Sequence, residues 1–363
     1  MSARIRTTLL AALFALPCIA SAETAAHPKI DLSGTLWGLW GYDLGFANPD
    51  APLRAGSHRF EVTRSYVNFR AQLSDSISLR ITPDLVVTTR TDGNVDGSLL
   101  LRLKYAYLTF DALPGLSVRA LMQPTPYIGF SDQLWGYRVL GTDILEHFTG
   151  IRSADTGVAV LGQTLANFLS YEVLASNGEG FSQQERVEPD AARYKDVAAR
   201  VTLSPFAQAG PLLRDLSLSL FGQYGIREKV PALDAHLERT RAMALLAWRG
   251  PGFTLGVGGG HSADDRLEEG REVRRESFLW TSWGWVDLPL RLRAIGRFDL
   301  SAPTNPADGD PGRRTRLVAG LAHLFTDAVQ LILNWERNGY QTPQNAPLDA
   351  PGDTLFVRVA ADF

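Results

Sequence analysis

The sequence predicts an all-β fold: a transmembrane antiparallel β-barrel of about sixteen strands with long outer loops. Three observations predict it. Residues Pro289 to Leu300, PLRLRAIGRFDL, place Leu290, Leu292, Ala294, Gly296, Phe298 and Leu300 on one parity and Arg291, Arg293, Arg297 and Asp299 on the other. Only Ile295 breaks the set, and period-two alternation of this length is a strand, because successive side chains leave opposite faces of the pleat. The connections between such segments alternate in length along the chain. No stretch beyond the first residues approaches the ~20 uninterrupted apolar residues of a transmembrane helix, although 8 Trp, 10 Tyr, 17 Phe and 33 Gly suit strands and turns.

The first 22 residues read as a secretory signal peptide. Arg4 and Arg6 precede the apolar run Leu9 to Ala20, and Ala20-Ser21-Ala22 is a small-residue cleavage site. The barrel is expected over residues 23–363. Cys18 falls in the leader, and Leu16-Pro17 before it lacks the small residue of a lipoprotein site. The mature chain therefore has no cysteine, which excludes disulfides, thiolate metal sites and cysteine nucleophiles. Without Arg4 and Arg6 it carries 34 basic against 39 acidic residues, a balance unlike that of a nucleic-acid binder.

Sixteen alternating segments begin near Asp31, His58, Ser76, Leu99, Leu116, Ser153, Ala166, Lys195, Leu213, Glu238, Gly252, Glu276, Pro289, Arg313, Ala328 and Asp353. Short turns such as Pro114-Gly115, Pro251-Gly252 and Thr326-Asp327-Ala328 follow the even segments; Pro205 to Leu212 is longer than the rest. Polar loops follow odd ones: Gly45 to Ser57, Gln123 to Arg152, Asn177 to Tyr194, Arg227 to Leu237, Ser262 to Arg275, Ser301 to Gly312 and Asn338 to Gly352. Short turns at one rim and long loops at the other are how outer-membrane barrels are built. Ser277 to Val286 is ambiguous, since Trp280, Trp283 and Trp285 fall on both parities, and a face toward a neighbouring subunit is one reading.

Sending each segment's apolar parity to lipid assigns the other to the lumen, because a charge at mid-bilayer costs about 2–4 kcal/mol. The second segment sends Val67, Phe69, Ala71 and Leu73 out and Arg64, Asn68, Arg70 and Gln72 in. The third puts Arg80, Thr82 and Asp84 inside. The fourth sends Leu101, Leu103, Tyr105 and Tyr107 out, and Arg102 and Lys104 in. The same rule places Arg119, Gln123, Glu172, Arg200, Arg241, Arg291, Arg293, Arg297, Arg314, Arg316, Asn334, Glu336 and Arg358 inside. Bases outnumber the inward acids Asp84, Glu172, Asp299 and Glu336, so an acidic chain is expected to enclose a basic lumen with too few acids to neutralise it. Guanidinium forks suit oxyanions, and rings of arginine or lysine select anions in pores.

Two stretches resemble a known family. Lys104-Tyr-Ala-Tyr-Leu-Thr-Phe110, Pro114-Gly-Leu-Ser-Val-Arg119 and Met122-Gln-Pro-Thr-Pro-Tyr127 are similar to the core of the phosphate-selective porin O/P family. Asp155 to Val160 with Gly162, Tyr171 to Gly180, and Lys195 to Arg200 with Pro205 follow in the same order. Pro124 stands where that family has lysine. The resemblance implies a trimeric sixteen-stranded porin whose third long loop folds into the pore. That loop is Gln123 to Arg152, and Gln123, Arg138, Asp143, Glu146, His147 and Arg152 are its candidates for the constriction. The last strand, Leu355 to Phe363, ends on an aromatic residue and resembles the segment that the barrel assembly machinery reads in outer-membrane proteins.

Other signals are weaker. Asp92-Gly-Asn-Val-Asp-Gly97 matches half of a calcium loop, but position twelve is Leu103 rather than glutamate. The six histidines have no metal-ligand spacing. His261 and Ser262 are adjacent on a strand and point apart, so hydrolysis is not expected. The expected function is passive diffusion of small anions, phosphate or polyphosphate among them, across the outer membrane of a Gram-negative bacterium. Its partners would be membrane lipid and the solute; no cofactor, metal or nucleic acid is implied. The rivals are a general or sugar porin and a barrel enzyme such as a phospholipase.

Overall fold

Sixteen strands close into one antiparallel ring in the computed structural model, which describes residues 28–50, 55–87, 99–164, 166–178, 180–181, 195–230, 235–268, 271–305, 312–347 and 350–363. They are β1 Lys29–Phe46, β2 His58–Ser74, β3 Ile77–Val87, β4 Leu99–Leu113, β5 Leu116–Pro124, β6 Ala154–Thr164, β7 Leu169–Ser176 and β8 Asp196–Leu203. The second half is β9 Asp215–Val230, β10 Ala235–Gly250, β11 Phe253–Glu268, β12 Arg271–Leu288, β13 Leu292–Pro303, β14 Arg314–Leu324, β15 Val329–Tyr340 and β16 Pro351–Asp362. Each pairs with its neighbours in the chain, and β1 closes on β16 with Thr35 opposite Asp362 and Tyr42 opposite Leu355. Closure gives every strand a partner on both sides, while tips of the tall strands, β9 beyond Gly225 and β12 before Ser277 among them, are paired in the sheet on one side alone. The leader with Cys18 and the Asp92–Gly97 hairpin lie outside the described residues.

Alternation decides what each face meets. Leu32, Phe69, Leu101, Leu246, Leu255, Leu333 and Val359 are exposed on the outside, from strands all round the ring. An apolar band of that extent needs hydrocarbon against it. The inward parity is polar and buried, with Asp84, Glu172, Arg200, Arg241, Arg297, Asp299, Arg316 and Arg358 among its members. At the short-turn rim, Gly115 and Gly252 adopt φ of +78° and +79°, the left-handed backbone that two-residue hairpins favour.

Three expectations need correction. Arg227 to Leu237 and Ser262 to Arg275 are not long loops: β9 to β12 run through them as tall hairpins. Charge on both faces removed the apolar parity that marks a strand, yet the charges pair across it, Arg274 with Asp265 at 3.1 Å and Arg275 with Glu268. Ser277 to Val286 is one strand, and its three tryptophans divide. Trp280 faces out, while Trp283 packs its ring 5.4 Å from Trp135 inside the barrel and Trp285 donates its indole N–H to the Trp135 carbonyl.

Tyr105 and Tyr107 point inward rather than outward. The register between β3 and β4 runs Thr82 with Tyr105 and then Pro83 with Leu103, which leaves Lys104 as the extra residue of a β-bulge. One extra residue exchanges the faces of everything after it. A second bulge lies where Trp37 pairs with Arg64 and Gly38 with Val62. It keeps Phe60 and Val62 outside while turning Arg64 and Tyr66 into the lumen.

The chain closes on Phe363, whose backbone N–H donates to Gly34 O at 3.0 Å while its carbonyl accepts from Gly34 N at 2.7 Å. Its ring lies over Gly34, in the space a β-carbon there would occupy. Leu333, 57% exposed at the middle of β15, tests the outward band. Leu333→Arg is expected to destabilise the reconstituted barrel by about 2–4 kcal/mol in urea, whereas Leu290→Arg in the β12–β13 turn changes it by less than about 0.5 kcal/mol.

Candidate functional site: a folded loop inside the barrel

The connection between β5 and β6 folds on itself. It contains α1 Ile128–Trp135, a 3-10 turn Arg138–Leu140 and α2 Ile144–Thr149. Gly136, at φ +74°, closes α1 by donating its N–H to Asp132 O. Asp143 caps α2: its carboxylate accepts from Leu145 N at 2.9 Å and from Ser131 Oγ at 2.7 Å. Burial pushes that carboxyl up to about 6.

Tyr127, Ile128, Trp135, Tyr137, Leu140, Ile144 and Leu145 of this loop are almost wholly buried. They pack on inward-facing Phe221, Leu245, Leu279, Trp283, Ile295, Val318 and Ile332. So the hydrophobic core lies inside the tube, between the loop and the β8–β16 side of the wall.

Polar contacts complete the attachment. Arg200 donates to Pro126 O at 2.8 Å, Arg249 to Gln133 O at 2.7 Å, Arg316 to Thr142 O at 2.7 Å and Arg358 to Val139 O at 3.0 Å. Arg314 lies over the Phe148 ring, and Arg293 lies over Trp285 and reaches the Tyr137 hydroxyl. Helix ends and turns leave carbonyls without intrahelical donors, and a buried carbonyl must find one elsewhere.

The lumen's acids are better used than their number suggests. Asp299 takes both Arg297 at 2.8 Å and Arg316 at 2.5 Å, and Glu172 takes Arg119 at 3.2 Å and Arg200 at 3.7 Å. Asp84 holds Arg102, Asp264 holds Arg241, and Glu336 approaches Arg358. The expectation of a ring of unpartnered arginines is therefore corrected: most have an acid partner, although each carboxylate shared by two guanidiniums leaves its group one positive charge in excess.

Several predicted residues are committed to partners, and one lies off its strand. Arg291 lies in the β12–β13 turn, paired with Asp327 at 3.0 Å and exposed. Arg70 is near the short-turn rim, 3.9 Å from Asp31. Arg293 pairs with Asp287 at 2.6 Å. Gln123 is a buried strut, donating to Gly157 O at 2.9 Å. Arg138 and Glu146 meet at 2.6 Å within the loop, where Arg138 also binds Asp132. Burial and nearby Arg316 hold the His147 imidazole down to about 3, so it is uncharged at neutral pH.

Arg64, Arg80 and Lys104 differ from these. Among the described residues their polar partners are neutral. Lys104 donates to the Tyr66 hydroxyl at 2.7 Å, Arg64 donates to the same oxygen, and Arg80 donates to Asn68 at 2.7 Å and Thr82 at 3.1 Å. Aromatic faces support them: Lys104 lies 4.5 Å from the Tyr66 ring, Arg80 4.8 Å from Tyr105 and Arg64 5.8 Å from Trp37. A cavity of about 310 Å³ separates Arg64 from loop residues Arg138 to Thr142. The lumen thus has a cationic, aromatic wall on β2–β4 facing a loop anchored on the other side.

Sequence parity missed the tryptophan anchor and the Arg239–Asp196 pair, 2.8 Å apart. The signal was present: Trp283 and Trp285 share a parity with Leu279 and Thr281, and Arg239 shares one with Arg241. Among the described residues no cluster of three metal-ligating side chains occurs. His261 is exposed outside while Ser262 is buried inside.

No protein-family model matches the chain, and no curated protein matches it in sequence. Its fold is nevertheless that of outer-membrane channels. The outer membrane channel DcaP of Acinetobacter baumannii superposes with a TM-score of 0.66 at 12% identity, over 94% of this chain and 99% of that one. OmpF of Salmonella typhi gives 0.62 at 12% identity over 94% and 100%. The anion-selective porin from Comamonas acidovorans gives 0.59 at 12% identity over 93% and 100%. The chain is a porin-like barrel of the Gram-negative outer-membrane type, and its apolar girdle sets it in a bilayer.

Trp135 is the centre of the loop's attachment. Trp135→Ala is expected to cost loop docking about 3–5 kcal/mol, seen as higher and noisier single-channel conductance and as new proteolytic cleavage between β5 and β6.

Proposed function

We propose that the protein is a passive channel for small anions in the Gram-negative outer membrane, assembled as a homotrimer. The observation that carries this reading is the placement of Arg64, Arg80 and Lys104 on one wall with neutral partners. Paired guanidiniums present little net field, whereas uncompensated ones between low-dielectric walls raise the local anion concentration. Tyrosine hydroxyls, amides and ring faces hold the three in place without cancelling their charge.

Weak and repeated sites suit permeation, since an ion that binds too tightly does not leave. The resemblance to the phosphate-selective family and the fold shared with an anion-selective porin support anion over cation preference. Phosphate and polyphosphate are the oxyanions this reading would place first, by the planar fit of guanidinium to such groups.

A second reading, a general porin without phosphate selectivity, is favoured by the ion-paired remainder of the lumen. Catalysis has less support: His261 and Ser262 lie on opposite faces of the wall.

Reversal potentials across planar bilayers in a KCl gradient test the assignment. Arg64→Glu and Arg80→Glu are each expected to move the potential toward cation preference, and Arg291→Glu at the rim to move it far less. Raising the salt from 0.1 to 1 M, which shortens the screening length from about 10 to 3 Å, should compress all these differences. Added phosphate that reduces KCl current at low concentration would favour the phosphate reading over the general porin.

A further inference from the structure

A second cavity lies apart from the β2–β4 wall. It measures about 330 Å³ and is enclosed between the returning arm of the folded loop, Thr149 to Arg152, and the inner faces of β6 to β11. That volume is at the lower end of the range for small-molecule sites. Most of its charges are committed to one another. Arg241 binds Asp264 at 2.8 Å, Arg239 binds Asp196 at 2.8 Å, and the Asp155 carboxylate accepts the N–H groups of Thr156 and Gly178, each at 2.7 Å.

Two cations in the lining stand apart from these pairs. Arg152 and Arg266 are exposed, and among the described residues neither side chain has an ion pair or hydrogen bond. The apolar part of the same lining is Leu174, Ala198 and Phe221, all buried. The Glu268 carboxylate, two residues along β11, lies within Coulomb reach of Arg266 without bonding it, so the cavity offers a partly compensated positive end and a greasy floor.

We infer that this cavity binds a small amphipathic organic anion, an aromatic or branched aliphatic carboxylate, as a staging site on the loop side of the lumen. The carboxylate would lie between Arg152 and Arg266, where a planar fork matches two oxygens, and the hydrocarbon body on Leu174, Ala198 and Phe221. An inorganic oxyanion would use the guanidiniums and leave that floor bare. The role in uptake rests on the anion-channel reading above, although the site and its ligand class are read from different residues.

Calorimetry on the purified, detergent-solubilised protein tests this with benzoate, acetate and inorganic phosphate as probes. Benzoate is expected to bind about tenfold more tightly than acetate, as burial of a ring implies. Arg266→Ser should weaken benzoate by about tenfold, the worth of one charge-assisted contact. Arg152→Ser is a second variant should the first fail to fold, as judged by heat-modifiable gel mobility. Absence of benzoate binding, equal binding of acetate or phosphate, or unchanged benzoate affinity in the folded variant would overturn the assignment. Failure of the channel reading is separately visible: wild-type reversal potentials in a KCl gradient use no organic anion and read the β2–β4 wall.

Discussion

A polypeptide that folds back into its own barrel brings backbone carbonyls to a place with little water to satisfy them, and the rest of this structure follows from that debt. The wall answers with guanidiniums from β8, β10, β14 and β16 and with the Trp285 indole, all aimed at carbonyls between Pro126 and Thr142. Each buried guanidinium then requires an acid, because an uncompensated charge in the interior is far more costly than an uncompensated dipole. Asp299 and Glu172 serve two arginines apiece for that reason. Carbonyl, guanidinium and carboxylate form one chain of obligation from loop to wall.

Selectivity is decided by what this network leaves over. Most arginines of the β8–β16 side are structural in effect, bonded to loop carbonyls or paired with an acid. On the β2–β4 side no wall side chain among the described residues donates to a loop carbonyl, and Arg64, Arg80 and Lys104 rest on hydroxyl, amide and ring. One residue type thus performs two tasks, according to whether the backbone that faces it needs a donor.

Much of the fold was legible in the sequence. Sixteen segments, their approximate starts and the inward parity of Arg200, Arg241, Arg297, Arg316 and Arg358 follow from alternation alone, because lipid on one side enforces it. The loop candidates between Gln123 and Arg152 fall within or beside a folded loop, but composition gave no means of separating struts such as Gln123 from charged groups such as Arg138. What escaped has physical causes. Hairpins standing clear of the apolar girdle have two wet faces, so the β9–β12 extensions look like loops. Counting acids against bases gives the net charge but not the number of partners, since one carboxylate with two oxygens can hold two guanidiniums. Local register defects leave no mark in composition, which is why Tyr105 and Tyr107 were assigned to the wrong face.

That last defect reaches beyond this chain. An added residue at Lys104 interchanges lumen and lipid for the remainder of β4 while both turns stay where they are. Insertion or loss of a single codon there would redecorate the passage without redrawing the cylinder. Channels of this architecture can thereby diverge in what they admit through length polymorphism within a strand, a route that comparisons based on aligned substitutions would pass over.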